Sequence, residues 1–234
     1  MSRDAFAVVL VHGAWADGSS WRSVIAGLRA DVTEVVAAPL PLTSFADDVA
    51  ALERTLERLT APVILVGHAY AGAVIAAVRD PKVAALVYVA ALAPDEGETV
   101  ADVFNRAPPH PDAPKLAPDA HGLLWLPRAA FGAAFAQQAS AEERAWLSAV
   151  QRPLAAACID VPVGRPLWRD RPSWFLVAEE DRMIAPATQR FMADRMGATV
   201  RPHRVDHTPS VSAPATVVDV IREAMTALAS SSGR

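Results

Sequence analysis

The sequence has one cysteine, no concentrated positive charge and no long apolar run, and each shortage excludes something. With Cys158 alone, no intramolecular disulfide can form and no Cys-rich zinc site is possible. Lys and Arg number 22 against 26 Asp and Glu, a net charge of −4, and the cations are scattered along the chain. Nothing electrostatic favours nucleic acid or an anionic membrane as a partner. The apolar run after Met1-Ser2-Arg3-Asp4 stops at His12, too short to span a bilayer and without a convincing cleavage region. A cytoplasmic location follows by default. No internal repeat, heptad, cofactor-binding or metal-binding pattern is present, and nothing indicates an oligomeric state.

Hydrophobic residues make up 52% of the 234 and charged residues 21%, a balance that suits a globular fold and argues against disorder. The first ninety residues alternate strand and helix. Ala5 to Val11 is a continuous apolar run, as a buried parallel strand requires. Ser19 and Ser20 can cap a helix through Trp21, Val24, Ile25 and Leu28. A second strand spans Thr33 to Ala38, and Pro39 and Pro41 end it. Ser44 opens a helix with Val49, Leu52, Leu56 and Leu59 on one stripe and Glu53, Arg54, Glu57 and Arg58 outside it. Val63 to Val66 is a third strand, Ala71 to Val78 a helix and Val83 to Val89 a fourth strand.

Seven prolines lie between 94 and 127, so regular structure there must be short. Arg128 to Gln138 and Ala141 to Val150 look helical, the second capped by Ser140. Alternation resumes with a strand at Ser173 to Ala178, a helix at Pro186 to Met196 and a strand at Thr199 to His203. A final helix spans Ala213 to Ala229, and the tail from Ser230 to Arg234 should fray. The expected architecture is α/β: a doubly wound, mostly parallel sheet formed by residues 1–93 and 169–234, with 94–168 inserted as a helical cap or lid.

Residues 62–72 place an apolar strand before a small-residue turn and a helix: Pro62-Val63-Ile64-Leu65-Val66-Gly67-His68-Ala69-Tyr70-Ala71-Gly72. This is the setting of the nucleophile elbow G-x-S-x-G, whose central serine attacks a carbonyl. The central side chain here is the methyl of Ala69, which cannot attack. Two further groups fall at strand ends, where α/β sheets build their sites. After the first strand comes His12-Gly13-Ala14-Trp15, where a glycine permits a sharp turn and backbone N–H groups can face a developing oxyanion. After later strands come Asp181, in a run with Glu179 and Glu180, and then His207.

The order elbow, acid, histidine matches one common triad order. With Val9 to Trp15, Val66 to Gly72, the stretch around Asp181, and His207, the sequence resembles the α/β-hydrolase superfamily. It is similar to small esterase-like members and to the plant methylesterase and hydroxynitrile lyase group. The resemblance implies that Ala69 occupies the nucleophile position, that Asp181 orients His207 as general base, and that the N–H groups of Ala14 and Tyr70 form the oxyanion hole. The chain departs from the pattern at Ala69 and at Ala71, where the motif usually has glycine. Trp15, His68 and Trp125 are candidate pocket residues, and the aromatics Phe104, Phe131, Phe135, Trp146 and Trp168 add apolar surface to the same region. His12 reads as structural and Cys158 as a buried, inert thiol.

Three functions fit this set. A serine esterase could carry a replaced nucleophile. A native alanine could accompany general-base chemistry by His207: hydrolysis by activated water, carbon-acid lyase chemistry or cofactor-free oxygenation. Or the chain could be a pseudoenzyme that binds a small carbonyl ligand. The second off-pattern residue, Ala71, favours a native alanine, because a deliberate knockout changes one position. The expected partner is a small molecule, and no cofactor is implied.

Overall fold

The computed structural model describes residues 5–232, and side chains through residue 230. Met1 to Asp4, part of the apolar-run reading, and the last two tail residues lie outside the described residues.

The chain order is β1 (Ala7–Val11), α1 (Arg22–Leu28), β2 (Glu34–Ala38), α2 (Phe45–Leu56), β3 (Val63–His68), α3 (Ala71–Ala77) and β4 (Val83–Val89). After β4 come α4 (Val100–Phe104), β5 (Leu123–Leu124), α5 (Ala141–Val150) and β6 (Leu154–Ala155). The chain closes with β7 (Ser173–Ala178), α6 (Pro186–Met196), β8 (Thr199–His203), α7 (Pro209–Ser212) and α8 (Pro214–Ser232). Six strands form one sheet in the order β2-β1-β3-β4-β7-β8, every neighbouring pair parallel. β5 and β6 form a separate antiparallel pair inside the 94–168 segment.

Strand alternation sorts the core into two layers. Val9, Val11, Leu65, Tyr88 and Phe175 face α2, α3 and α6. Val8, Leu10, Ile64, Val66, Val87 and Leu176 face α1 and α8. The central strands are buried on both faces, which is why they read as unbroken apolar runs.

Several local expectations change. Asp17, not Ser19 or Ser20, caps the first helical segment, accepting from Ser19 N at 2.9 Å and opening a 3₁₀ turn at Gly18–Trp21. Asp17 has the extended backbone that a cap requires, whereas Ser19 and Ser20 fall inside the turn. The helix expected at Arg128 to Gln138 is a single π-helical turn, Phe131–Phe135. Its wide turn lets both phenylalanines be buried. The last helix continues to Ser232, beyond the expected fraying point.

Candidate active site

β3 ends in a turn centred on Ala69, whose φ is 50°. An L-residue in the left-handed region costs about 1–2 kcal/mol and persists only where its surroundings over-determine it. They do so here. Ala69 N donates to Val89 O at 3.2 Å, and Ala69 O accepts from Leu92 N at 2.9 Å and Gly72 N at 3.1 Å. Gly72 is where the turn needs glycine, since a Cβ there would lie 2.4 Å from Leu92 O. Ala71 is accommodated without exposure. Gly13 serves close approach as well: a Cβ would lie 2.9 Å from His68 O and 3.0 Å from Ala69 Cβ. Its backbone is not left-handed, so the sharp-turn role expected for it is replaced by contact with the elbow.

Asp181 follows β7, and its carboxylate is fully occupied. Oδ1 accepts from Met183 N at 2.7 Å and Ile184 N at 2.9 Å. Oδ2 accepts from Gln189 Nε2 at 2.8 Å and pairs with His207 Nδ1 at 2.8 Å. With Nδ1 as donor, the neutral ring presents the lone pair of Nε2, which meets no partner among the described residues. Glu179 and Glu180 instead pair with Arg190 and Arg204 at the surface. Gln189 was not foreseen. It donates to both Asp181 and Ile184 O and accepts from Ala178 N. No motif marks a glutamine eight residues past an aspartate. The flanks of His207 are tied to the inserted segment: Asp206 accepts from Gln138 N at 2.9 Å, and Thr208 Oγ1 donates to Phe135 O at 2.6 Å.

Ala69, His207, Ala14, Tyr70 and Trp15 share one wall of a cavity of about 550 Å³, part of it open to solvent. The opposite wall comes from the 94–168 segment, including Val100, Phe104, Leu116, Leu154 and Ile159. Nearly every lining side chain is apolar, and the His207 ring is the polar exception that faces in. Two pocket expectations fail. His68 sits behind His207, where its Nε2 donates to His207 O at 2.7 Å. Burial, then the neighbouring His207, pulls the His68 imidazole down to about 3, so it stays neutral. Trp125 points outward, 47% exposed, and donates to Asp119. Its strand pair turns Leu124 in and Trp125 out. Of the segment's other aromatics only Phe104 lines the cavity. Phe135 packs on the rings of His207 and Trp15 at 5.3 and 6.2 Å. Trp146 and Trp168 lie near the guanidinium groups of Arg22 and Arg169.

Among the described residues, neither Ala14 N–H nor Tyr70 N–H has an acceptor. The neighbouring N–H groups are taken, Trp15 by Arg152 O at 3.0 Å and Ala69 by Val89 O. His12 is a brace: its Nε2 accepts from Leu40 N at 3.1 Å and its Nδ1 meets Gly13 O. Burial pushes the Cys158 thiol up to about 12, which leaves no thiolate at neutral pH. Beside it lies an unforeseen buried carboxyl, Asp48, which accepts from Leu42 N and Tyr70 Oη, each at 2.7 Å. Among the described residues no group of three or more His, Cys, Asp or Glu side chains could hold a metal ion. No described helix is long and apolar enough to cross a membrane.

Comparison with known proteins gives a consistent picture. A family model described as the alpha/beta hydrolase family matches residues 8–220. The carbendazim hydrolyzing esterase of Nocardioides sp. (strain SG-4G) is 30% identical over 179 residues, 66% of this chain and 72% of that one. The crystal structure of polyneuridine aldehyde esterase superposes with a TM-score of 0.81 at 17% identity, covering 93% of this chain and 98% of the other. Tomato methylketone synthase I, complexed with 2-tridecanone, superposes with a TM-score of 0.79 at 18% identity, covering 94% and 98%. At such identities the two superpositions establish a shared fold.

Proposed function

The chain belongs to the alpha/beta hydrolase family, and from that premise we propose that it acts on a small apolar carbonyl compound by general-base chemistry at His207, with no covalent intermediate at residue 69. The observation that carries this is the wall of the cavity. A methyl on a strained elbow lies beside an imidazole that Asp181 holds through Nδ1, and the remaining lining is apolar. Residues 94–168 act as the cap that closes the cavity and selects the substrate. A relative complexed with 2-tridecanone, a single carbonyl on a long alkyl tail, illustrates the kind of molecule such a lining suits.

Two proton transfers fit. In hydrolysis, His207 Nε2 takes a proton from a water as its oxygen bonds to the carbonyl carbon. The carbonyl π pair moves onto oxygen, between the N–H groups of Ala14 and Tyr70. Collapse of that adduct expels the leaving oxygen, which takes the proton back from His207. In carbon-acid chemistry, Nε2 instead removes a proton from the carbon beside the carbonyl, and the same N–H pair holds the enolate oxygen. Neither route needs a hydroxyl at 69. A serine esterase merely lacking its serine would be nearly inactive, since losing a nucleophile in the serine-protease template costs about 10⁶ in turnover.

The test uses simple aryl esters and then a panel of esters, lactones and cyanohydrins read by product mass. Wild type should leave aryl esters almost untouched, and Ala69→Ser should raise their hydrolysis by about 10³-fold or more. Equal rates would remove the elbow assignment. On whichever panel compound wild type converts, His207→Ala should abolish product, and surviving turnover would end the general-base reading. Binding without product across the panel would identify a ligand-binding protein instead.

A further inference from the structure

We propose that Asp48 and Tyr70 form a positioning pair that aims the Tyr70 N–H into the cavity, an assignment that rests on the carbonyl-binding reading above. Asp48 lies in the first turns of α2 and has no exposed surface. Among the described residues its carboxyl meets no cation. Its neighbours are the N–H of Leu42, the hydroxyl of Tyr70 and, at 3.8 Å, the sulfur of Cys158. Burying a carboxyl without a cation is unfavourable. Asp48 lies on the same buried stripe as Leu52 and Leu56, a place where packing alone would be met by an apolar side chain.

What the carboxyl holds explains its place. Tyr70 directly follows Ala69, so the orientation of its N–H depends on a peptide plane next to a backbone held at φ 50°. A side chain fixed at its far end by a 2.7 Å hydrogen bond leaves that peptide little freedom. The ring is braced further by an edge contact with Phe45, centroids 6.5 Å apart. The other oxygen of the same carboxyl holds Leu42, also left-handed at φ 60°, and Leu42 O accepts from Ala155 N at 3.0 Å. Ala155 adjoins Leu154, which lines the cavity. One carboxyl thus registers the elbow N–H against the opposite wall.

The second open N–H is registered in a parallel way. Ala14 precedes Trp15, at φ 58°, and Trp15 is tied to the inserted segment through Arg152 O and, from its indole N–H, through Leu124 O at 2.9 Å. A hydrogen-bond donor acts on a developing oxyanion only within a few tenths of an ångström of the right place. Asp48 touches no substrate in this scheme and acts through Tyr70.

The experiment follows the carbonyl resonance of 2-tridecanone labelled with ¹³C at its carbonyl, bound to the full chain. A hydrogen-bonded carbonyl moves downfield of its position in hexane. Wild type should show that displacement. Tyr70→Phe, which keeps ring and backbone but cuts the tie, should lose the part of it due to the Tyr70 N–H, keep the part due to Ala14, and still bind the ketone. Asp48→Leu combined with Tyr70→Phe, which replaces the polar pair by apolar groups and so guards against misfolding, should lose the same part. Asp48→Asn should retain it, because an amide can accept from Leu42 N–H and donate to the Tyr70 oxygen. Full displacement in bound Tyr70→Phe overturns the positioning pair alone. Loss of binding in Tyr70→Phe also overturns it, by making the pair a prop for the cavity. Failure of wild type to bind or displace the resonance overturns the pair together with the carbonyl-binding reading.

Discussion

Two carboxyl groups are buried on either side of the turn at residue 69, and they are held in opposite ways. Asp181 meets two backbone N–H groups, a glutamine amide and an imidazole. Asp48 meets one backbone N–H, a phenol and a thiol, with no cation at hand. Burial raises the Asp48 pKa, against the smaller opposing effect of its Tyr70 and Leu42 hydrogen bonds. The difference matches the two roles proposed above. On the general-base reading, a carboxylate that answers a histidine gaining charge is surrounded by donors, whereas one proposed to fix a neighbour's position needs only a short, directional bond.

That contrast can be broken in order of effect. In the Ala69→Ser background, Asp181→Asn should cut aryl-ester turnover by about 10⁴-fold, the loss seen in the serine-protease template when the orienting carboxylate becomes an amide. An amide at 181 must set its NH₂ either against His207 and Gln189 or against the N–H groups of Met183 and Ile184, and so meets donors with a donor. A steady-state rate within tenfold of the parent would show that Asp181 is only a loop brace.

Asp48→Asn should act on stability, with the sign set by burial. The Asp48 pKa lies above 3.8 in the folded chain. Below 3.8 the folded and unfolded chains both hold the proton, so the group contributes no pH-dependent difference. Between 3.8 and the raised folded value, the folded chain keeps a proton that the unfolded chain has released, so stability falls as pH rises. Each pKa unit of displacement is worth about 1.4 kcal/mol. Asp48→Asn should therefore unfold at a higher temperature than wild type at pH 7, with the advantage shrinking towards pH 4. Parallel melting curves across that range would contradict the sign.

The smallest effect belongs to a carboxylate at the surface. Asp31 pairs with Arg222 at 2.9 Å, both partly exposed. Arg222→Gln should change unfolding free energy by roughly 0.5 kcal/mol or less, and less still at high salt. A larger change in denaturant unfolding would mean that exposed and buried carboxyls in this fold differ less than their surroundings suggest.

The fold was largely legible in the sequence. Unbroken apolar runs such as Val83 to Val89 announce strands buried on both faces, and the stripe of Leu52 and Leu56 announces a helix laid on the sheet. Positions of the elbow, Asp181 and His207 followed from their places after strands. Asp48 was not legible, because an acidic residue in a helix's first turns beside Asp47 reads as a solvent-facing dipole partner. Gln189 was hidden for the same reason, as one more polar residue on a short helix. His68 was placed in the cavity by its adjacency to Ala69 in sequence, and Trp125 as one of the aromatics of the 94–168 segment. The strand's pleat and the packing of the His207 loop send both elsewhere.

By itself the sequence determined the strand and helix order, and with it the turn after the third strand that carries Ala69, because side-chain period and breaker residues act locally along the chain. Which wall faces that turn, which N–H groups stay open and which buried acid has no cation were decided only by tertiary structure. Those facts depend on residues 100 or more positions apart meeting across the sheet edge, as Asp48 and Cys158 do, and no local pattern encodes such a meeting.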